Sequence, residues 1–329
     1  MWRINALLSN LKQGAYFACM KTKLLFTLLL VPFLAFTQIK DTAYDHTYAL
    51  YDSGHFETAL QRINQLIEKD NSRGDYFDLR GMIKASIGKL DEAAQDFSTA
   101  ISKSPKEALY YHHRANAFYS MQSPDQAIED NNSAIEYAST DSLKYSFILN
   151  RGSAKTMKRD FKGAYEDFME VLKYDSTNQG ALTNLGATMD DLGRSDEAIM
   201  YLEKVVRLYP DFVGGYGNLA FRYADMGEYK KALELDNKVI AMDPKDPLGY
   251  NNRGYVKYKL NDLKGAMADI SKSLSIYPAN SYAYRNRALV YIAQKQISKA
   301  CDDLSTSIRY GFTEMYGNEV KELQSKYCK

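Results

Sequence analysis

Apolar residues recur along this chain at the three- and four-residue spacing of a helix face, as in Leu60, Ile63, Leu66 and Ile67, or Ala93, Phe97, Ala100 and Ile101. No stretch alternates at period two for long enough to make a strand, so the pattern predicts an all-α chain. The pattern also returns. Ala59, Ala93, Ala127, Ala164, Ala198, Ala232, Ala266 and Ala300 follow one another at steps of 34, with one step of 37 between Ala127 and Ala164. Eight repeats result, starting at residues 40, 74, 108, 145, 179, 213, 247 and 281.

Other columns fall into the same register. Twelve residues before those alanines stand Gly81, Ala115, Gly152, Gly186, Ala220, Gly254 and Ala288, with Thr47 in the first repeat, and twelve after them stand Pro105, Pro210, Pro244 and Pro278. Gly54, Gly88, Gly193 and Gly227 fall between the small residue and the alanine, where a turn belongs. A small residue on one helix facing an alanine on the next lets two antiparallel helices approach closely, and a proline stops the second helix. Each repeat therefore predicts a helical hairpin. The three extra residues fall near Ser139, Thr140, Asp141 and Ser142, which predicts a longer, looser connection between the third and fourth hairpins.

A period of 34 with small-residue, alanine, aromatic and proline columns resembles the tetratricopeptide repeat, the second repeat matching best through Gly81, Gly88, Ala93, Phe97, Ala100 and Pro105. With an apolar leader from Leu24 to Phe36, Arg-Gly openings such as Arg80-Gly81 and Arg253-Gly254, and Cys328 in its final helix, the chain also resembles secreted repeat proteins of Bacteroidota. The resemblance implies a right-handed superhelical solenoid of eight tetratricopeptide hairpins over residues 38–314, closed by a C-terminal capping helix over 315–329 with Tyr316, Val320, Leu323 and Tyr327 on its apolar side. It further implies a non-catalytic interaction module or scaffold whose concave groove, lined by first helices, holds a peptide or helix of a partner protein. A structural subunit of an envelope assembly is the alternative, and an enzyme-associated subunit a third.

Ahead of the repeats, Met20-Lys21-Thr22-Lys23 precedes an apolar run from Leu24 to Phe36, too short to span a bilayer, with Ala35 and Thr37 before Gln38. This reads as a signal peptide over 20–37, so the protein is expected to be exported: periplasmic, cell-surface or secreted, with no membrane span in the mature chain. Residues 1–19 add nothing to such a leader, and Met20 fits as an initiator, in which case Cys19 is never made. The remaining cysteines, Cys301 and Cys328, begin the last second helix and end the cap. Antiparallel packing brings those ends together, which predicts a disulfide in an oxidising compartment; two reduced core thiols are the competing reading.

Charge and chemistry change this picture little. The 42 basic and 41 acidic side chains give no field for nucleic acid. Gly-rich phosphate loops, zinc-helix motifs and nucleophile elbows are missing, and the adjacent His112 and His113 face different sides of a helix, so no catalytic residue, metal, cofactor or small-molecule substrate is expected. His112 and His113 and acid pairs such as Asp190-Asp191 read as solvated. Arg80 with Asp96, Arg114 with Asp130, Arg151 with Asp167, Arg253 with Asp269 and Arg287 with Asp303 are always 16 apart. Where the arginine gives way to Leu185 or Leu219, the acid gives way to Tyr201 or Leu235, which predicts an ion pair inside each hairpin. For the groove, Asn150, Asn184, Asn218, Asn252 and Asn286 occupy one position in five consecutive repeats. They read either as a ladder for a peptide backbone or as amides that set the stacking of neighbours. Phe221, Tyr255, Tyr258 and Tyr282, with Arg285 nearby, are the expected anchors.

Overall fold

The computed structural model describes residues 41–313 and 317–328. The leader, the region 1–19 and Tyr316 lie outside the described residues. Among the described residues there are seventeen α-helices and no strand. Eight hairpins follow in order: α1 (Thr42–Asp52) with α2 (Phe56–Lys69), α3 (Gly74–Ser86) with α4 (Leu90–Lys103), α5 (Ala108–Ser120) with α6 (Pro124–Glu136), and α7 (Asp141–Lys158) with α8 (Phe161–Tyr174). The rest are α9 (Gln179–Thr188) with α10 (Ser195–Leu208), α11 (Val213–Asp225) with α12 (Tyr229–Met242), α13 (Pro247–Lys259) with α14 (Leu263–Ile276), and α15 (Ser281–Ala293) with α16 (Ile297–Arg309). A single helix, α17 (Glu319–Tyr327), closes the series. No helix among the described residues is long and apolar enough to cross a membrane.

Two compact units divide inside α9, one ending at Ala181 and the other beginning at Leu182. In each, helices consecutive in the chain pack together, as α3 with α4 or α13 with α14, and first helices of successive hairpins also touch, as α1 with α3 or α13 with α15. Close approach within a hairpin depends on the small column. A Cβ on Gly81 would come within 2.5 Å of the Phe97 ring, and one on Gly254 within 2.6 Å of Ile270. The alanines that mark the period are fully buried.

Inside each hairpin one tight turn recurs. The Lys89 N–H donates to the Lys84 carbonyl at 2.9 Å and the Gly88 N–H to Ala85 at 3.0 Å, a Schellman closure that leaves Gly88 at φ +81°. Gln122, Arg159, Asn261 and Lys295 hold the same left-handed place, at φ +57° to +69°, in hairpins without the glycine.

The insertion falls elsewhere than expected. The connection before α7 is no longer than its counterparts, and the extra residues are taken up in α7, which starts ahead of the repeat register and runs to 18 residues, against 13 in α5. Thr140 caps the new start by accepting the Leu143 N–H, and Asp141 favours the positive end of the helix. Capping thus converts a presumed loop into another helical turn. The capping helix is also shorter than the sequence suggests, beginning at Glu319 after Gly317, whose φ of +81° breaks the helix. Its Val320 is buried with Tyr282, Ala288, Ala300, Leu304 and Phe312, and Leu323 packs against them.

Candidate functional site

In the unit from Leu182 onward, a pocket of about 220 Å³ opens between α11, α12 and α13. Ala220, Phe221, Ala224 and Asp225 come from α11, Tyr229 and Asp236 from α12, and Asn252, Tyr255, Val256 and Lys259 from α13. Helical spacing explains the grouping, since Asn252, Tyr255, Val256 and Lys259 recur every three or four residues. The Lys259 ammonium lies 5.5 Å from the centre of the Tyr229 ring and 5.8 Å from that of Tyr255. Arg285 approaches the Tyr255 ring from α15 at 5.4 Å.

Of the anchors read from the sequence, Phe221, Asn252 and Tyr255 meet in this pocket. Others do not. Tyr282 is 4% exposed, packed edge-to-face on Phe312 in the core beneath α17, so it cannot face a partner. Arg285 is also buried, bonded to Asn286 at 2.7 Å and to Glu319 of α17. The buried Asn286 donates to Asn251 of the preceding hairpin at 2.9 Å, so at this position the amide joins two hairpins and none of it is left for a peptide. Tyr258 packs against the cluster of Ala266, Ile270 and Leu274, because its place beside the turn leans it onto its own hairpin. Asn150, Asn184 and Asn218 are half-buried on their first helices, and the Asn150 amide nitrogen lies 3.5 Å from His112 Nδ1.

The five arginines and aspartates make two hydrogen bonds each, Arg80 to Asp96 at 2.9 and 2.6 Å being typical. Their further partners were not visible in the alignment by hairpins: Lys84, Lys155 and Lys257 join the same carboxylates at 2.8 Å. The remaining arginine nitrogen reaches back to the previous hairpin in four cases, to Asn64, Ser98, Asn132 and Asn237. Cys301 and Cys328 form a disulfide, with Cα atoms 5.7 Å apart.

The polar residues read as solvated are packed. His113 bonds Asp78 at 2.8 Å, and His112 lies against Phe147, where burial above all holds its pKa down at about 3 and keeps the imidazole neutral. Asp190 pairs at 2.6 Å with Arg222, a buried guanidinium in a column whose other members, Ile83, Ala117, Ala154, Val256 and Val290 among them, carry no charge. Sequence reasoning also missed Asp236. The available signal was one acid in a column otherwise filled by large apolar residues and Asn131.

Residues 44–108 match one tetratricopeptide repeat profile, and residues 180–212 and 249–280 match another. No curated protein matches the sequence. Among solved structures, a tetratricopeptide repeat protein from Parabacteroides merdae is 20% identical, over 82% of this chain and 100% of its own, with a TM-score of 0.64. The C-terminal part of a repeat protein from Cytophaga hutchinsonii is 19% identical over 74% of this chain and 98% of its own, with a TM-score of 0.52. Yeast Tom70 is 15% identical over 91% of this chain and 67% of its own, with a TM-score of 0.63. At such identities the likeness is one of fold. The repeat register, the hairpins and the profiles agree: the chain carries tetratricopeptide repeats and has their fold, one suited to protein–protein interaction or scaffolding.

Proposed function

We propose that the protein is an exported, non-catalytic binding module that holds a segment of a partner protein against the first helices of hairpins six and seven. The observation that carries this reading is the pocket between α11, α12 and α13, where Phe221, Tyr229 and Tyr255 stand beside the Asn252 amide. Aromatic rings supply contact area with few rotatable bonds, and an amide both donates to and accepts from a peptide backbone. Export rests on the basic and apolar leader read in the sequence, and the Cys301–Cys328 disulfide suits an oxidising compartment.

The test is crosslinking in cells from a photoreactive residue at Asn252, compared with one at the exposed Lys272 of α14. The same protein segment should be captured from Asn252 and lost when Phe221 and Tyr255 are both replaced by alanine, with helicity kept. Capture that is equal from Lys272, or indifferent to the two rings, sinks the assignment.

A further inference from the structure

Asp236 stands four residues after Ala232, where other hairpins place the side chain that fills the space between their two helices: Phe97, Phe168, Leu202, Ile270 and Leu304, all buried. Hairpin three has Asn131 there, and its amide donates to its own backbone at Ala127, 2.8 Å away. Asp236 has no such arrangement. It is 1% exposed, and neither carboxyl oxygen takes a hydrogen bond from any described residue. A buried, unpaired carboxyl costs free energy that a leucine would not. Its short side chain also leaves open the volume that a phenylalanine or leucine would fill, and Asp236 lines the resulting pocket.

The surroundings select a ligand. Charged or titratable groups face Asp236 or its pocket from each packed element: Asp225 from α11, Tyr229 from α12, Asp246 from the following connection, Arg253 and Lys259 from α13, and Asp269 from α14. Arg253 is committed to Asp269 and Asn237, so it leaves both buried Asp236 oxygens without a hydrogen bond. Lys259 forms no ion pair with Asp236 and rests over the Tyr229 and Tyr255 rings instead, while Arg222 lies over Phe221, so cations of the chain already neighbour these rings and leave Asp236 without one. Two unbonded carboxyl oxygens match the forked donors of a guanidinium.

We propose that this pocket receives an arginine side chain of the partner, its guanidinium against Asp236 and its alkyl stem beside the rings of Phe221 and Tyr255. The proposal rests on the reading that a partner segment lies along these first helices, and it names the residue that segment must carry. Burial, its largest influence, pushes the free Asp236 carboxyl up to about 8, with Arg253 drawing it down and Asp269 and Asp246 raising it. An entering guanidinium therefore expels the carboxyl proton, and affinity rises with pH.

The test titrates the full, disulfide-bonded chain with acetyl-arginine amide, acetyl-lysine amide and the neutral isostere acetyl-citrulline amide, following the Asn252 and Tyr255 resonances. The arginine amide should bind saturably, more tightly at about pH 9 than at about pH 6, and the citrulline amide should not. Asp236→Asn should weaken binding by at least about tenfold with the shape preserved. Asp236→Leu, which supplies the residue found at positions 202 and 304, should abolish binding while raising stability. Any of four results overturns the proposal: no saturable arginine shift, equal affinity for citrulline, tighter binding of lysine, or unchanged affinity in Asp236→Asn. The capped amino acid needs no partner. Its failure with crosslinking from Asn252 intact removes the arginine pocket alone, and the reverse outcome removes the partner reading alone.

Discussion

Arg253 of α13 closes two hydrogen bonds of 2.7 Å on Asp269 of α14, while its third nitrogen donates to Asn237 of the hairpin before, at 3.0 Å. One side chain thereby ties a hairpin shut and fastens it to its neighbour. Removing the arginine leaves a buried carboxylate with only Lys257, so Arg253→Met should destabilise by about 3 kcal/mol, more than the ~0 to 1 kcal/mol of an exposed pair. Asp269→Leu combined with Arg253→Met should recover much of that loss in a double-mutant cycle followed by chemical denaturation.

The same contact sets a dependence on acidity. Burial pushes the Asp269 carboxyl up, but hydrogen bonds from Arg253 and Lys257 outweigh it and hold the group below its ordinary value. A carboxyl depressed in the folded state contributes stability that is present above its unfolded pKa and is lost as pH falls through the folded one. Stability measured by urea denaturation should fall as pH drops below about 4, and less so in a variant with both residues apolar.

Asp236 has the opposite sign. Its carboxyl is raised in the folded state to about 8, so below an unfolded pKa of about 4 ionisation adds nothing to the cost of burying it, and that added cost grows as pH rises towards the folded value. Each tenfold change in proton affinity between the two states corresponds to ~1.4 kcal/mol. The stability gained by Asp236→Leu should therefore be smallest near pH 4 and larger by a few kcal/mol near pH 8. Parallel denaturation curves across that range check the slope.

Four hairpin turns hold a side chain in left-handed backbone that Gly54, Gly88, Gly193 and Gly227 adopt freely. Replacing Gln122, Arg159 or Lys295 by glycine should stabilise each turn by roughly 0.5 to 1 kcal/mol, since L side chains crowd the following carbonyl there. Asn261 should gain least, because asparagine tolerates this conformation. Thermal unfolding of the single variants ranks them.

Cys301 and Cys328 close a loop across a separation of 27 residues. In the chain-entropy description a loop of that length stabilises by about 3 to 4 kcal/mol. Cys301→Ser with Cys328→Ser should lower stability by that amount, and hydrogen exchange should rise first in α17. Both thiols should resist alkylation of the folded chain until a reductant is added.

The fold was legible because each hairpin repeats the same demands: Gly81 exists to admit Phe97, Ala93 to admit the opposing helix, and Gly88 to make the turn. The candidate site was only partly legible, because it consists of departures from that repetition. Tyr282, Arg285 and Asn286 sit on the expected helix, but Phe312, Glu319 and Asn251 cover or engage them. Asp236 belongs to a second helix, and only its column neighbours mark it as misplaced. The lengthening of α7 turned on Thr140, whose capping bond the count of residues did not reveal.

The partner of Arg285 is Glu319, 34 residues on, which is one full period. α17 thus occupies the berth that the first helix of a ninth repeat would take, with Val320 in the core beneath it and Cys328 bolted to Cys301. A repeat array left bare at that point would offer its last hairpin to the first hairpin of another copy, and such head-to-tail stacking propagates into filaments. By filling the berth with half a repeat and locking it covalently, α17 covers the apolar face of hairpin eight on which such stacking would begin.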